Sequence, residues 1–339
     1  MLQRSAGGRF LELALFSISS LVLYQIGVGF IVFLVPLQVV ASRRGERSLL
    51  ASCGLFLVVF LALRLVPFLG GKFRPDIITM VEMIFVGSLL AGLLLVNLPP
   101  LARVRALYRL LGVSALAALA AVPVTIWLSG NAQFQDAMGA RYAEASRMLT
   151  SVFSGGQDVR DPALSSLLSP AGIRRMSEMF VSRSAVVLFF GLLSFSWWAG
   201  QSSASRTVWP PRRRFVFSAF RMEGFWLWIL IGSLALILAD LFFGDRLSGN
   251  AVYAQDAIWN IGLVAVFLYG LQGLAIARFL FEKNGLPRLL WLLLLVVLAI
   301  VVGSTRAGLF VILGLAAFGV SENWIRLRIV ADGKPNEAD

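Results

Sequence analysis

Histidine is absent from the 339 residues, and cysteine occurs once, as Cys53 inside an apolar run. The first absence removes the Ser-His-Asp triad, histidine-ligated zinc, histidine-ligated haem and HExxH chemistry together. The second forbids an intrachain disulfide and argues against a metal cluster. Lysine is nearly missing too, since only Lys72, Lys283 and Lys334 interrupt an otherwise all-arginine basic set. The chain has no Walker loop, no dinucleotide fingerprint and no acidic residues spaced for a metal. No cofactor and no metal are therefore expected. An enzyme would have to work with carboxylates and arginines, and no catalytic group is apparent, so the expectation is a non-enzymatic protein.

What remains is overwhelmingly apolar. Hydrophobic residues make up 58% of the chain and charged ones 14%, and mean hydropathy is +0.83, outside the usual range of a soluble domain. The apolar residues fall in blocks of roughly 15–25, the length that hydrocarbon thickness demands. Helix is the expected form, because a helical backbone satisfies its own hydrogen bonds in lipid. The fold class is thus all-α: a polytopic transmembrane helix bundle of about ten membrane segments, with short hairpin pairs at both ends. The net charge of +12 sits between the apolar blocks, as the positive-inside rule requires, and implies no nucleic-acid partner.

The stretch from Phe10 to Val40 is broken near Gln25, Gly27 and Gly29, and reads as two short helices of about 15 residues in a tight or re-entrant hairpin. Arg4 and Arg9 precede it without a small-residue cleavage site, so a retained first helix is expected rather than a signal peptide. Further membrane helices are expected at about 48–69, 77–97 and 110–129, closing an N-terminal membrane region of 1–129. Residues 130–182 form an external amphipathic segment, lying on the outer surface like a lid: Phe134, Met138, Tyr142, Ala145, Leu149 and Val152 recur at helical spacing. Ser169-Pro170 starts the next helix, which enters the membrane at about 184. The C-terminal membrane region, 183–328, continues at about 223–243 and 257–281 with a final hairpin over 289–320, and 329–339 is a polar tail. Ten crossings put both termini on the side that receives about nineteen of the thirty Lys and Arg residues, the cytoplasmic face of a bacterial inner membrane.

Ionisable groups at membrane depth are the first functional candidates, because they are costly there unless paired or wet. Arg64, near the outer end of the third helix, and Glu82, in the first turns of the fourth, should reach similar depth and pair. They form either a structural clamp or a substrate or proton site. Glu12 answers Arg9, Asp240 is interfacial, and Arg306 reaches the headgroups from the last hairpin turn. On the eighth helix Gly262, Gly270, Gly273 and Ala277 share one arc and invite close helix packing. Asn260 and Gln272 lie beyond its two edges and join Arg64 and Glu82 as candidate substrate ligands. Trp197, Trp198, Trp209, Trp226 and Trp228 read as an interfacial aromatic belt. Arg212, Arg213 and Arg214 are either a solvated topogenic cluster or a site for anionic lipid.

The run Gln272-Gly273-Leu274-Ala275, then Asn284-Gly285-Leu286-Pro287-Arg288 and a short hairpin ending in Trp324 and Arg326, resembles the YybS-like family of predicted bacterial membrane proteins. Pro36-Leu37 with Arg44-Gly45, and Ser169 to Gly200, resemble the same family. This resemblance implies a fold and no function. The short early helices also look like the S components of energy-coupling-factor transporters, but Ala14 is followed by Ile18 where those carry an Ala-x-x-x-Ala face.

Two roles remain. One is a protein that binds or transports a small molecule among lipids, at broken helices and intramembrane charge. The other is a structural or assembly subunit with membrane-protein partners.

Overall fold

A computed structural model describes residues 6–69, 77–154, 162–204, 216–243, 251–303, 305–325 and 327–328, and every regular element among them is helical. The Arg212–Arg214 triplet, Trp209 and the 329–339 tail lie outside the described residues. The chain divides into two compact units, Met1–Arg214 and Phe215–Asp339. The division falls in the basic segment rather than at residue 183, because the long helix that begins at Pro170 packs within the first unit.

In the first unit α1 spans Ala6–Gln25, followed by a 3-10 turn at Val28–Ile31, α2 at Leu34–Arg44, α3 at Glu46–Leu69 and α4 at Ile77–Val96. The reversal after α1 depends on glycine. Gly27 has φ of +71°, in the left-handed region, and a Cβ on Gly29 would overlap the Leu23 carbonyl. α2 then returns antiparallel to α1: the Ser20 hydroxyl donates to the Phe33 carbonyl at 2.5 Å, and Glu12 pairs with Arg44 at the hairpin base. Arg43 also approaches Glu12, at 3.9 Å. Glu12 therefore closes the hairpin through Arg43 and Arg44; the Arg9 side chain lies outside the described set.

Of the two short helices expected, α2 is the shorter. Its 11 residues rise only about 16 Å, half of a hydrocarbon core of about 30 Å. α2 is also buried, its Leu34, Leu37, Gln38 and Ser42 enclosed among α1, α3 and α8. The α1–α2 hairpin thus has a half-length inner helix enclosed by its neighbours.

α5 spans Ala106–Ser129, α6 Ala132–Ser154, α7 Pro162–Leu168 and α8 Pro170–Ala204. α8 is unbroken for 35 residues, about 52 Å, so its arginine-bearing start extends well past its apolar part. α6 runs antiparallel along that start: the Ser146 hydroxyl donates to the Leu168 carbonyl at 2.6 Å, while Tyr142 sits in the field of Glu178 and Arg174. The amphipathic helix is where the periodicity places it, and it packs beside α8 as a helix pair. α8 also packs on α2 and α5. Gly200 admits Gln38 so closely that a Cβ there would overlap the Gln38 side chain.

The second unit holds α9 at Phe225–Phe243, α10 at Ala251–Lys283, α11 at Arg288–Gly303 and α12 at Thr305–Ser321. α10 is its centre, packed on α9 and α12, and α11 leans on α12. Among the described residues six helices, α3, α4, α5, α8, α9 and α10, are long and apolar enough to cross a membrane, and α1, α11 and α12 are shorter apolar helices. The outward faces of the bundle are covered with large apolar side chains, among them Phe242, Ile300, Phe310 and Leu119. Water would penalise such a surface, and lipid does not.

Candidate functional site

Arg64 and Glu82 form the expected ion pair. α3 and α4 run antiparallel, so the end of one meets the start of the other, and Arg64 Nη2 donates to Glu82 Oε1. A third residue joins them. Tyr24, in the last turn of α1, donates its hydroxyl to the same Glu82 oxygen at 2.7 Å. The hairpin tip is thereby fastened to the charged pair. Sequence spacing gave no sign of Tyr24, because its partner is 58 residues away across a helix reversal.

Aromatic rings surround the pair. The Tyr24 ring lies edge-on to Phe30, Phe33 and Phe60 at 6.0, 5.3 and 5.6 Å, and Phe30 stacks on Phe85. The Arg64 guanidinium lies over the Phe60 ring, 5.5 Å from its centroid. Phe33, Phe56 and Phe60 are fully buried, so the low-dielectric wall is on the inner side. Arg64 and Glu82 remain 32% and 26% exposed.

The pair is only partly satisfied. Arg64 Nε is buried without a hydrogen-bond partner. Among the described residues nothing donates to Glu82 Oε2 and nothing accepts from Arg64 Nη1. Among the described residues, one Glu82 oxygen and Arg64 Nη1 therefore have no protein partner, while Arg64 Nε is enclosed.

The other predicted ligands are elsewhere, in the second unit. Gln272 is fully buried and wholly occupied: its Oε1 accepts from the Met222 amide at 2.8 Å, and its Nε2 donates to the Gly319 carbonyl at 3.1 Å and to Glu322 at 2.9 Å. Both polar atoms of Gln272 are thus engaged by protein partners. Asn260 donates to the Asp256 carbonyl one turn back on its own helix. The glycine arc also divides. Gly273 and Gly319 cross each other, a Cβ on either overlapping a backbone carbonyl of the opposite helix. Gly262 meets Ile237 and Ser233 of α9, and Gly270 faces open space.

Sequence reasoning missed one ionic cluster altogether. Arg328 grips both oxygens of Glu322, Nε to Oε1 at 2.7 Å and Nη2 to Oε2 at 2.5 Å, and donates further to the Ser218 and Phe220 carbonyls at 2.6 and 2.9 Å. With Gln272 on the same carboxylate, this latch ties the segment before α9 to the body of α10 and the end of α12. Near α9's end, Trp259 donates to Asp240 at 2.8 Å. Among the described residues no three Cys, Asp or Glu side chains gather as a metal site would need.

A family model described as "Predicted membrane protein (DUF2232)" matches residues 14–316. The chain belongs to the DUF2232 family. That match takes in Tyr24, Arg64 and Glu82 and stops short of Glu322 and Arg328, so the DUF2232 region holds the open pair and the adjoining tail contributes the closed latch. No curated protein and no solved structure matches this DUF2232 chain.

Proposed function

We propose that this protein binds a small polar molecule at the Arg64–Glu82 pair and carries it across a bacterial inner membrane without chemical conversion. The supporting observation is the unspent hydrogen-bonding capacity of an intramembrane ion pair fastened to the tip of a broken hairpin. Ionisable groups at membrane depth and discontinuous helices recur where transport proteins hold their cargo. Tyr24 supplies a mechanical link: a ligand that draws Glu82 away from Arg64 also draws on the hairpin tip.

The positive-inside balance supports cytoplasmic termini, and the outward apolar faces imply lipid as the standing partner.

Native mass spectrometry of the gently solubilised full chain tests the proposal. Wild-type protein should release a bound small molecule that Arg64→Ala protein, equally monodisperse, lacks. Stable companion subunits with no small molecule in either protein would instead make it an assembly subunit and defeat the transport reading.

A further inference from the structure

We propose that the Tyr24–Glu82–Arg64 site takes a small zwitterion whose ammonium and carboxylate sit one carbon apart, the α-amino-acid class. The inference rests on the binding role proposed above and names the ligand chemistry.

Three observations carry it. First, the positions without a protein partner among the described residues are of both kinds: Glu82 Oε2 takes no donor, and Arg64 Nη1 gives to no acceptor. A guanidinium edge matches a carboxylate, and a carboxylate oxygen matches an ammonium. Second, the existing pair is neutral and backed by buried Phe33, Phe56 and Phe60. A simple anion or cation would leave one uncompensated charge in that setting, which is costly, whereas a zwitterion leaves none. Third, Arg64 and Glu82 touch, so the two ligand groups must also be adjacent. A chain that separates them by several methylenes cannot reach both without parting the pair.

The contrast with Glu322 and Arg328 sharpens the point. There the same two residue types meet with both carboxylate oxygens held and Nε engaged, leaving no donor or acceptor facing a ligand on that edge. At Arg64 only one carboxylate oxygen of the partner is held, and among the described residues Glu82 Oε2 and Arg64 Nη1 have no protein partner.

The experiment follows the thermal unfolding midpoint of the purified full chain in detergent, against each standard L-amino acid. Any amino acid that raises it is then compared with its N-acetyl and carboxamide derivatives, and with β-alanine and 6-aminohexanoate. At least one free α-amino acid should stabilise the wild type. Blocking either end removes a charge-assisted contact and should weaken binding roughly tenfold to a hundredfold, and 6-aminohexanoate should not bind. Arg64→Ala should lose the response to all, and Glu82→Gln should bind the N-acetyl derivative as well as the free amino acid. Equal responses to free and blocked forms in the wild type would overturn the proposal, whatever the variants do. A co-purified molecule of another class, lost from Arg64→Ala, would overturn the zwitterion while the binding role stands. No shift and no co-purified molecule would remove both.

Discussion

Arg328 holds Glu322 by both carboxylate oxygens, and neither side chain is more than 11% exposed. A closed pair of this kind contributes little against an apolar replacement of both residues, yet removing one partner strands a buried charge. Breaking such a pair typically costs about 3–5 kcal/mol. Arg328→Ala should therefore lower the thermal midpoint of the solubilised protein markedly, and Arg328→Lys should recover little, since an ammonium cannot reach the Ser218 and Phe220 carbonyls as well as both carboxylate oxygens. A midpoint unchanged in Arg328→Ala would show that the latch does not hold the segment before α9.

The glycines of α10 and α12 separate cleanly by what lies opposite. Gly273→Ala and Gly319→Ala each drive a methyl group into backbone, which cannot rotate away, so both should destabilise the α10–α12 crossing. Gly270→Ala meets nothing within 4 Å and gains about 0.5–1 kcal/mol of helix propensity. Its midpoint should equal or exceed that of the wild type. Thermal unfolding of the three single variants side by side reads the difference.

Much of the bundle was legible in the sequence because hydrophobic length and glycine punctuation act locally. Gly27 and Gly29 marked the hairpin reversal, and the spacing of Phe134 to Val152 marked α6. The Arg64–Glu82 pairing was legible as well, since antiparallel neighbours fix depth. What escaped was set by tertiary neighbours. An apolar 11-residue α2 gives no sign of the α1, α3 and α8 found around it. The partners of Gln272 escaped because two of them, the carbonyl of Gly319 and the amide of Met222, carry no side-chain signal. Arg328 escaped for the same reason: two of its acceptors are backbone carbonyls 108 and 110 residues distant.

Tyr142 on α6 provides a pH signature for the packing of α6 on α8. Burial against α8, and then the negative charge of Glu178, push its phenol above the ordinary 10.0. The unfolded chain loses that proton first, so the stability tied to it is complete below pH 10 and is lost as pH climbs through the folded value. Tyr142→Phe should flatten this alkaline loss. Thermal midpoints between about pH 9 and 11, compared for the two proteins, measure it; identical slopes would mean α6 does not shield the phenol.

Tyr24→Phe isolates the link between the hairpin tip and the charged pair. The substitution keeps the ring against Phe30, Phe33 and Phe60 and removes only the hydroxyl that Glu82 accepts, so the aromatic packing of α1 on α3 survives. Loss of one such bond costs about 0.5–1.5 kcal/mol, rising toward about 3 when the acceptor is charged. The loss should be local. Glu82 keeps Arg64, so global stability falls little, while the 3-10 turn at Val28–Ile31 loses its tether to α4. Hydrogen exchange should quicken in residues 24–31 and stay unchanged in α3 and α4. Exchange that rises evenly through all four helices would mean Tyr24 supports the whole unit; no change anywhere would mean glycine geometry alone fixes the tip.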